Sequence, residues 1–218
     1  AGARNAGFTL LTPYVTDRGL DRVEKLLDIV SSRAESPEVV FNDWGVYHML
    51  ARQFQSAQPV LGRLLNKIKR GPRIMNIIDQ LPSACRSYYT GSNLDVPECA
   101  AFLTEKGIRR AEFDNVLQGT DFERIDSRIR RSLYMPYAVV STTRFCLTAG
   151  CADPGRAGRV GICNCSRECE QVSFTLHNPV MGRPLLRRGN TVFFMNESIP
   201  EAVPRRLVDR IVIAPEIP

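Results

Sequence analysis

The sequence predicts an α/β fold built on a parallel sheet, and three observations lead there. Short, nearly continuous apolar runs alternate along the chain with stretches of helical periodicity. A parallel sheet is covered on both faces by its crossover helices, so its strands read as unbroken apolar runs. Six such runs are found, opening at Phe8, Glu38, Pro59, Arg110, Tyr137 and Arg210. A closed (β/α) barrel needs eight. The sheet is therefore either open or short of its first two βα units. The abrupt start, an Ala/Gly-rich piece just before a strand, favours a TIM-type barrel lacking those two units. Residues 1–218 then form one barrel-type domain, with residues 143–196 a Cys-rich loop and β-hairpin inserted before the last strand.

Each element follows from local pattern. Residues 8–15 (FTLLTPYV) read as a buried strand, and Asp17 offers an N-cap for the helix carried by Leu20, Val23, Leu26, Leu27 and Val30. Residues 38–43 (EVVFND) are apolar and β-branched, and residues 46–54 are helical. A strand at 59–64 (PVLGRL) precedes a basic loop at 67–73, broken by Gly71-Pro72. Pro97 opens a helix that Gly107 closes. Residues 110–116 form a strand, 122–132 a helix basic on one side, and 137–142 (YAVVST) a buried strand running straight into Cys146. Beyond the cysteines, 172–177 and 185–195 pair as a hairpin, with Arg188-Gly189-Asn190 as turn residues. A short helix at 200–207 leads to the strand at 210–214. Open edges at the first and last strands would invite aggregation. They are expected to lie close together, the gap filled by an amino-terminal segment or a partner chain.

Composition narrows the class. The 218 residues are 44% hydrophobic and 24% charged, which excludes disordered, collagenous and coiled-coil chains. A chain of this length buries enough surface to fold without disulfides. No apolar run is long enough to span a membrane and nothing near Ala1 resembles a signal peptide, so a cytoplasmic protein is expected. The net charge of +6 is compatible with an anionic partner such as RNA or a carboxylated metabolite, and equally with a well-solvated surface.

The cysteines say more. Of seven, Cys85 and Cys99 stand apart, while Cys146, Cys151, Cys163, Cys165 and Cys169 crowd one segment. An odd total without a secretory signal argues against a disulfide framework. Thiolates this close on a Gly-rich loop can converge on one metal, and spacings such as Cys165-x3-Cys169 suit either zinc or an iron–sulfur cluster. Free thiols are the bland alternative. The loop follows the carboxyl end of a predicted strand, where α/β barrels assemble active sites. Arg144, Arg156, Arg159 and Arg167 would favour thiolates and anionic ligands there.

Other polar candidates are few. His48 and His177 read as packed or surface histidines. No Gly-x-Ser-x-Gly elbow, His-Glu-x-x-His or Cys–His pairing is present, so protease machinery is not recognisable. Asp43, Glu112 and Asp114 sit near predicted strand ends, where carboxylates do acid–base work or cap loops. Arg63, a cation within an apolar strand, must be paired or functional, with a substrate anion or a structural carboxylate as its partner.

Taken together and in this order, Asn42-Asp-Trp-Gly45, Gly62-Arg-Leu-Leu-Asn66, Arg70-Gly-Pro-Arg73, Gly107-Ile-Arg-Arg-Ala-Glu112 and Arg144-Phe-Cys146 resemble the collagenase-like peptidase family U-thirty-two. The resemblance runs from Phe8 through most of the chain. It implies a (β/α) barrel carrying a [4Fe–4S] cluster on four cysteines. It also implies a role in oxygen-independent hydroxylation of an RNA base or a quinone precursor, with prephenate as a hydroxyl source in several branches. Carried over, the Arg-x-Cys cysteine falls on Cys146 and the later pair on Cys165 and Cys169. Cys151 and Cys163 compete for the fourth place. Cys151 is preferred because Cys163 and Cys165 flank a single residue and would crowd one cluster. The amino-terminal strands of the family barrel and its collagenase-associated extension have no counterpart here. The expected protein is thus an iron–sulfur hydroxylation enzyme or component, with Asp43 and Arg63 as its catalytic candidates and zinc as the alternative metal. Its partners would be RNA or a small anionic aromatic substrate, and a partner subunit. A metal-stabilised RNA-binding module and a true peptidase are the rival readings.

Overall fold

The computed structural model describes residues 7–143, 145–156, 158–160, 165–199, 201, 203 and 205–217. Its contacts divide the chain into two compact units. The first comprises Ala1–Lys67, Asn93–Phe113 and Glu123–Ser132, and the second Ile68–Ser92, Asp114–Phe122 and Leu133–Pro218.

In the first unit, β1 (Thr9–Leu11), β2 (Glu38–Phe41) and β3 (Gln58–Leu61) pair in parallel, with Val40 opposite Val60 and Phe41 opposite Leu61. β3 pairs in parallel with β4 (Arg110–Asp114) through Leu61 and Ala111. Val39, Val40, Phe41, Val60, Leu61, Ala111 and Phe113 are buried, as two-sided strands require. Each large side chain taken fully from water contributes about 1.5–3 kcal/mol. β1 is shorter than residues 8–15 suggested, because Pro13 has no N–H to continue the ladder.

Helix α1 (Asp17–Ser31) buries Val23 and Leu27, but Leu26 is 49% exposed, so the apolar stripe is narrower than predicted. Its N-cap is Thr16 rather than Asp17, which lies in the first turn, where a carboxylate meets the positive end of the helix. Helix α2 (Trp44–Gln53) buries Val46 and Leu50. In the second unit, α3 (Ser83–Thr90) buries none of its side chains. Back in the first, α4 (Pro97–Glu105) opens on Pro97 as predicted.

The helix predicted over 122–132 is corrected. Only Phe122–Arg124 forms a 3-10 turn, and β5 (Arg130–Met135) follows. Asp126 explains this. Its carboxylate accepts from the backbone N of Arg128 at 2.8 Å and from that guanidinium at 2.6 Å, replacing a helical turn with a side-chain-closed one. Arg128 thereby holds the Asp126 carboxyl down to about 2.

The strand at Tyr137–Thr142 (β6) is real, but it does not join the parallel series. In the second unit it pairs antiparallel with β9 (Thr191–Met195), in a four-stranded sheet of order β6-β9-β8-β7 completed by β8 (Leu185–Arg188) and β7 (Ser173–Leu176). The hairpin at 185–195 is as predicted. A bulge between Val139 and Ser141 breaks the β6 ladder, and Ala138, Val139, Phe193 and Phe194 are buried. Of the helix predicted at 200–207, the 3-10 turn Arg205–Leu207 is described, and Pro200, Ala202 and Pro204 lie outside the described residues.

The fifth place in the larger sheet belongs to β5 and the sixth to β10 (Arg210–Ile213), in the order β1-β2-β3-β4-β5-β10. The order never reverses, which is the winding of a barrel rather than of a doubly wound sheet. The chain is thus mixed α/β with a six-stranded sheet. A closed eight-stranded barrel is not formed by the described residues. No described helix is long and apolar enough to cross a membrane.

Two tight spots fix this framework. In the first unit, Asn42 donates from Nδ2 to Thr12 O at 2.8 Å and accepts from Leu64 N at 3.0 Å, tying three successive strand ends together. A Cβ on Gly62 would lie 2.2 Å from Asn42 Oδ1 and 2.7 Å from Phe41 O. Gly62→Ala is therefore expected to destabilise the chain by about 1–3 kcal/mol, read as a lower denaturant midpoint with the m-value unchanged.

In the second unit, the fully buried Asp114 accepts from Arg70 Nε at 2.8 Å and from Val139 N at 3.0 Å. Asp114→Ala strands the Arg70 guanidinium and should cost about 3–5 kcal/mol. Asp114→Asn, which keeps an acceptor for Val139, should cost less. Equal losses in the two variants would exclude the ion pair as the cause.

Candidate metal centre

The cysteine segment hangs from the β8–β9 hairpin of the second unit. β6 delivers the chain to Thr143, whose N donates to Asn190 O at 2.9 Å while Asn190 Nδ2 donates to Thr143 O at 2.9 Å. Arg187 Nη2 then donates to Phe145 O at 3.0 Å, fixing the residue before Cys146. The second arm is held from the same turn. Arg188 donates from Nε to Cys169 O at 2.6 Å and from Nη1 to Ile217 O. Gly189, at φ +59°, stands where a Cβ would lie 3.4 Å from the Cys169 Cβ and 3.7 Å from its Sγ. A side chain there would be strained by the backbone and would press on the sulfur.

Between these anchors the loop folds through short turns. Cys146 Sγ lies 3.0 Å from the hydroxyl of the buried Thr148, and the turn Thr148–Gly150 ends on the exposed Cys151. That turn packs against Glu168–Glu170. Arg156 and Glu168, both largely buried, form an ion pair of 3.2 Å across the loop. Arg167 is the described non-glycine residue with positive φ, 59°, and its backbone N donates to Cys165 Sγ at 3.4 Å. A non-glycine residue at positive φ is uncommon, and here it turns an N–H onto a sulfur between the two cysteines of the Cys-x3-Cys pair.

Electrostatics bring three of the predicted ligands together. The Cys169 thiol is pushed up, first by burial and then by the negative charges of Cys146 and Cys165, with the Arg188 charge opposing. Negative charge on either neighbour holds the Cys169 proton more tightly, and a bound cation would act the other way. Among the described residues, no three Cys, His, Asp or Glu side chains are closed to the geometry of a bound metal ion. A cavity of about 350 Å³ opens beside Cys169, lined by Tyr137, Ser173, Arg188 and Glu216.

No family model, curated protein or solved structure matches the chain.

The other predicted residues fall as follows. Cys163 and Arg144 lie outside the described residues. Arg159 and Arg167 are exposed, as are His48 on α2 and His177 after β7. Cys85 is exposed on α3, and Cys99 on α4 is raised by burial, an effect that a bond from Asn93 opposes. Asp43 and Arg63 belong to the first unit. Asp43 is the N-cap of α2, its Oδ1 accepting from Gly45 N at 2.7 Å. Arg63 is not within a strand. β3 ends at Leu61, where Gly62 N bonds to Phe41 O, and Arg63 sits in the following turn, only 6% exposed. It remains a buried cation at a strand's carboxyl end. Sequence reasoning missed Arg187 and Arg188, taking the second only as a turn residue. Two adjacent arginines in a strand point to opposite faces, which is the signal that both arms of the loop could be reached from one strand.

The Cys169 shift has a measurable consequence. In the presence of a chelator, Cys169 should alkylate more slowly at neutral pH than the exposed Cys85, as read by peptide mass spectrometry. Binding of metal must displace its proton, so affinity should rise with pH across the thiol range. An affinity independent of pH would exclude Cys169 as a ligand.

Proposed function

We propose that this protein is an iron–sulfur protein of the U-thirty-two kind, with its cluster on Cys146, Cys165, Cys169 and, as fourth ligand, Cys151. The observation that carries the reading is one loop whose two arms, before Cys146 and at Cys169, are anchored by Arg187 and Arg188 of a single hairpin strand, with Cys165 on the same loop. The donor set supports it. Cys165 receives an N–H from the backbone, of the kind that tunes cluster potentials, and Arg188 offsets negative charge beside Cys169. When bound, the cluster supplies electron transfer and an electrophilic iron. The chain's own part is to hold and shield it. The β8–β9 turn fixes both arms of the loop, Arg156 and Glu168 brace it, and the cavity beside Cys169 admits a small molecule whose anionic group faces Arg188.

The reaction we propose is oxygen-independent hydroxylation of an RNA base or an aromatic quinone precursor, in the cytoplasm, by an enzyme or an enzyme component. This part rests on the resemblance of the motifs. The six-stranded sheet would then be most of a (β/α) barrel, its first two βα units supplied by further chain or by a partner subunit. Asp43 and Arg63, at adjacent strand ends, would orient the substrate, Arg63 by its charge and Asp43 through the α2 terminus it caps.

Protein purified without oxygen should be brown, with broad visible absorbance and several irons per chain. Replacing Cys146, Cys165 or Cys169 by Ser should remove iron, and replacing Cys85 or Cys99 should not. Stoichiometric zinc without iron would overturn the cluster. In cells lacking the protein, one RNA nucleoside or quinone should be lighter by one oxygen atom.

One observation favours an RNA-binding role. Tyr88 is 61% exposed, with Lys69 Nζ 4.5 Å from its ring centroid and Tyr89 edge-on at 5.4 Å. Exposed aromatic rings with a cation beside them can act as a stacking platform for unpaired bases. If RNA binding falls steeply with salt while every hydroxylated product is unchanged, the metal is structural and the protein is a binding module.

A further inference from the structure

The carboxyl ends of the strands are where such folds place their chemistry, yet the first unit carries a cavity at the opposite end. It measures about 580 Å³ and is lined at the amino ends of β2, β3, β4 and β5 by Glu38, Gln58, Arg110 and Arg130, with Arg109 just before β4. That volume suits a small organic ligand. One wall is apolar, made by Leu50 and Phe54 near the end of α2 and by Val60. Tyr47 stands beside them, its hydroxyl fixed to Lys106 O at 3.0 Å.

The charges around this cavity are unequally partnered. Arg110, 5% exposed, pairs with Glu38 at 3.6 Å and donates to Ser132 Oγ at 3.1 Å, and Glu38 also accepts from Thr9. Glu38 and Arg110 thus neutralise each other. Lys106 pairs with Glu105 at 3.1 Å. Arg109 and Arg130 make no ion pair among the described residues, and both are exposed. A backbone bond from Arg130 N to Arg109 O, 2.8 Å, joins their main chains, and both residues line the same cavity. The C-terminal ends of α2 and α4 also face this region and oppose an anion, each with roughly half an elementary charge. Two full guanidinium charges outweigh that, with Arg110 behind them.

We propose that this cavity binds a small phosphate monoester, its phosphate gripped by Arg109 and Arg130 and its apolar or aromatic body lying along Leu50, Phe54 and Tyr47. Two guanidinium groups lining one cavity offer enough donors for a tetrahedral dianion, which presents three oxygens and a charge of about −1.5 to −2. A monocarboxylate fills one fork and leaves the other idle. The apolar wall selects an ester with a hydrophobic body over the bare ion.

The test is calorimetric titration of the full chain with phenyl phosphate, inorganic phosphate and benzoate. Phenyl phosphate should bind more tightly than either of the others, and more weakly as salt rises. Arg109→Ala and Arg130→Ala should each weaken it by roughly tenfold or more, and the double variant should abolish binding. Both side chains are exposed, so the variants should keep the parent's thermal midpoint. Should either fail to fold, Arg→Lys at the same positions keeps the charge, removes the fork, and should still weaken binding. No binding of phenyl phosphate at millimolar concentration overturns the proposal. So does undiminished binding by the double variant, or benzoate or inorganic phosphate binding as well as the ester.

Discussion

Asp114 is the constraint from which the second unit is built. Its carboxylate is fully buried and must find donors, and it takes one from the 68–92 segment and one from β6. Arg70 and Val139 are thus held by one side chain. Gln118, four residues on, repeats the link by donating to Lys69 O at 2.7 Å and Tyr89 O at 3.2 Å. Because Val139 is fixed, β6 enters its sheet in a set register against β9, and the register decides which residue of the hairpin turn meets Thr143. A buried carboxylate far from the cysteines in sequence therefore determines where Cys146 begins.

The turn at Arg188-Gly189-Asn190 then converts that register into a site. Three consecutive residues act on two distant stretches of chain, Asn190 on Thr143, and Gly189 and Arg188 on Cys169. Among the described residues, neither arm of the loop has a longer regular element to hold it, only short 3-10 turns. The anchoring is by side chain to backbone carbonyl, which spares the thiols for other ligands. The hairpin thus sets where Cys169 and the residue before Cys146 lie without using either thiol.

The sequence made the first four strands and their helices legible because burial on both faces leaves an unmistakable apolar run, and Pro97 marks a helix start by known physics, whereas the capping role of Asp43 was not read. It misled where one side chain overrode a periodicity. The basic face at 122–132 looked helical, yet Asp126 captures the Arg128 amide and the chain extends instead. β6 is as apolar as a parallel strand, since a strand buried in either kind of sheet has the same composition. Only its partner distinguishes it, and a partner more than fifty residues away leaves no local mark. The cysteines were legible as a group. Their anchoring by Arg187 and Arg188 was not, because arginine in a hairpin ordinarily means a solvated edge.

Charge partnership separates structural from available cations throughout the chain. With 29 Lys and Arg against 23 Asp and Glu, some cations must go without an acidic partner. Several that brace the fold pair with carboxylates: Arg70 with Asp114, Arg110 with Glu38, Arg156 with Glu168. All three pairs are largely buried, where an unmatched charge would be costly. Arg109 and Arg130 stand at a surface where solvation tolerates them, beside a concavity that focuses their field. Neither has a carboxylate partner among the described residues, and an anion bound in that concavity would supply one.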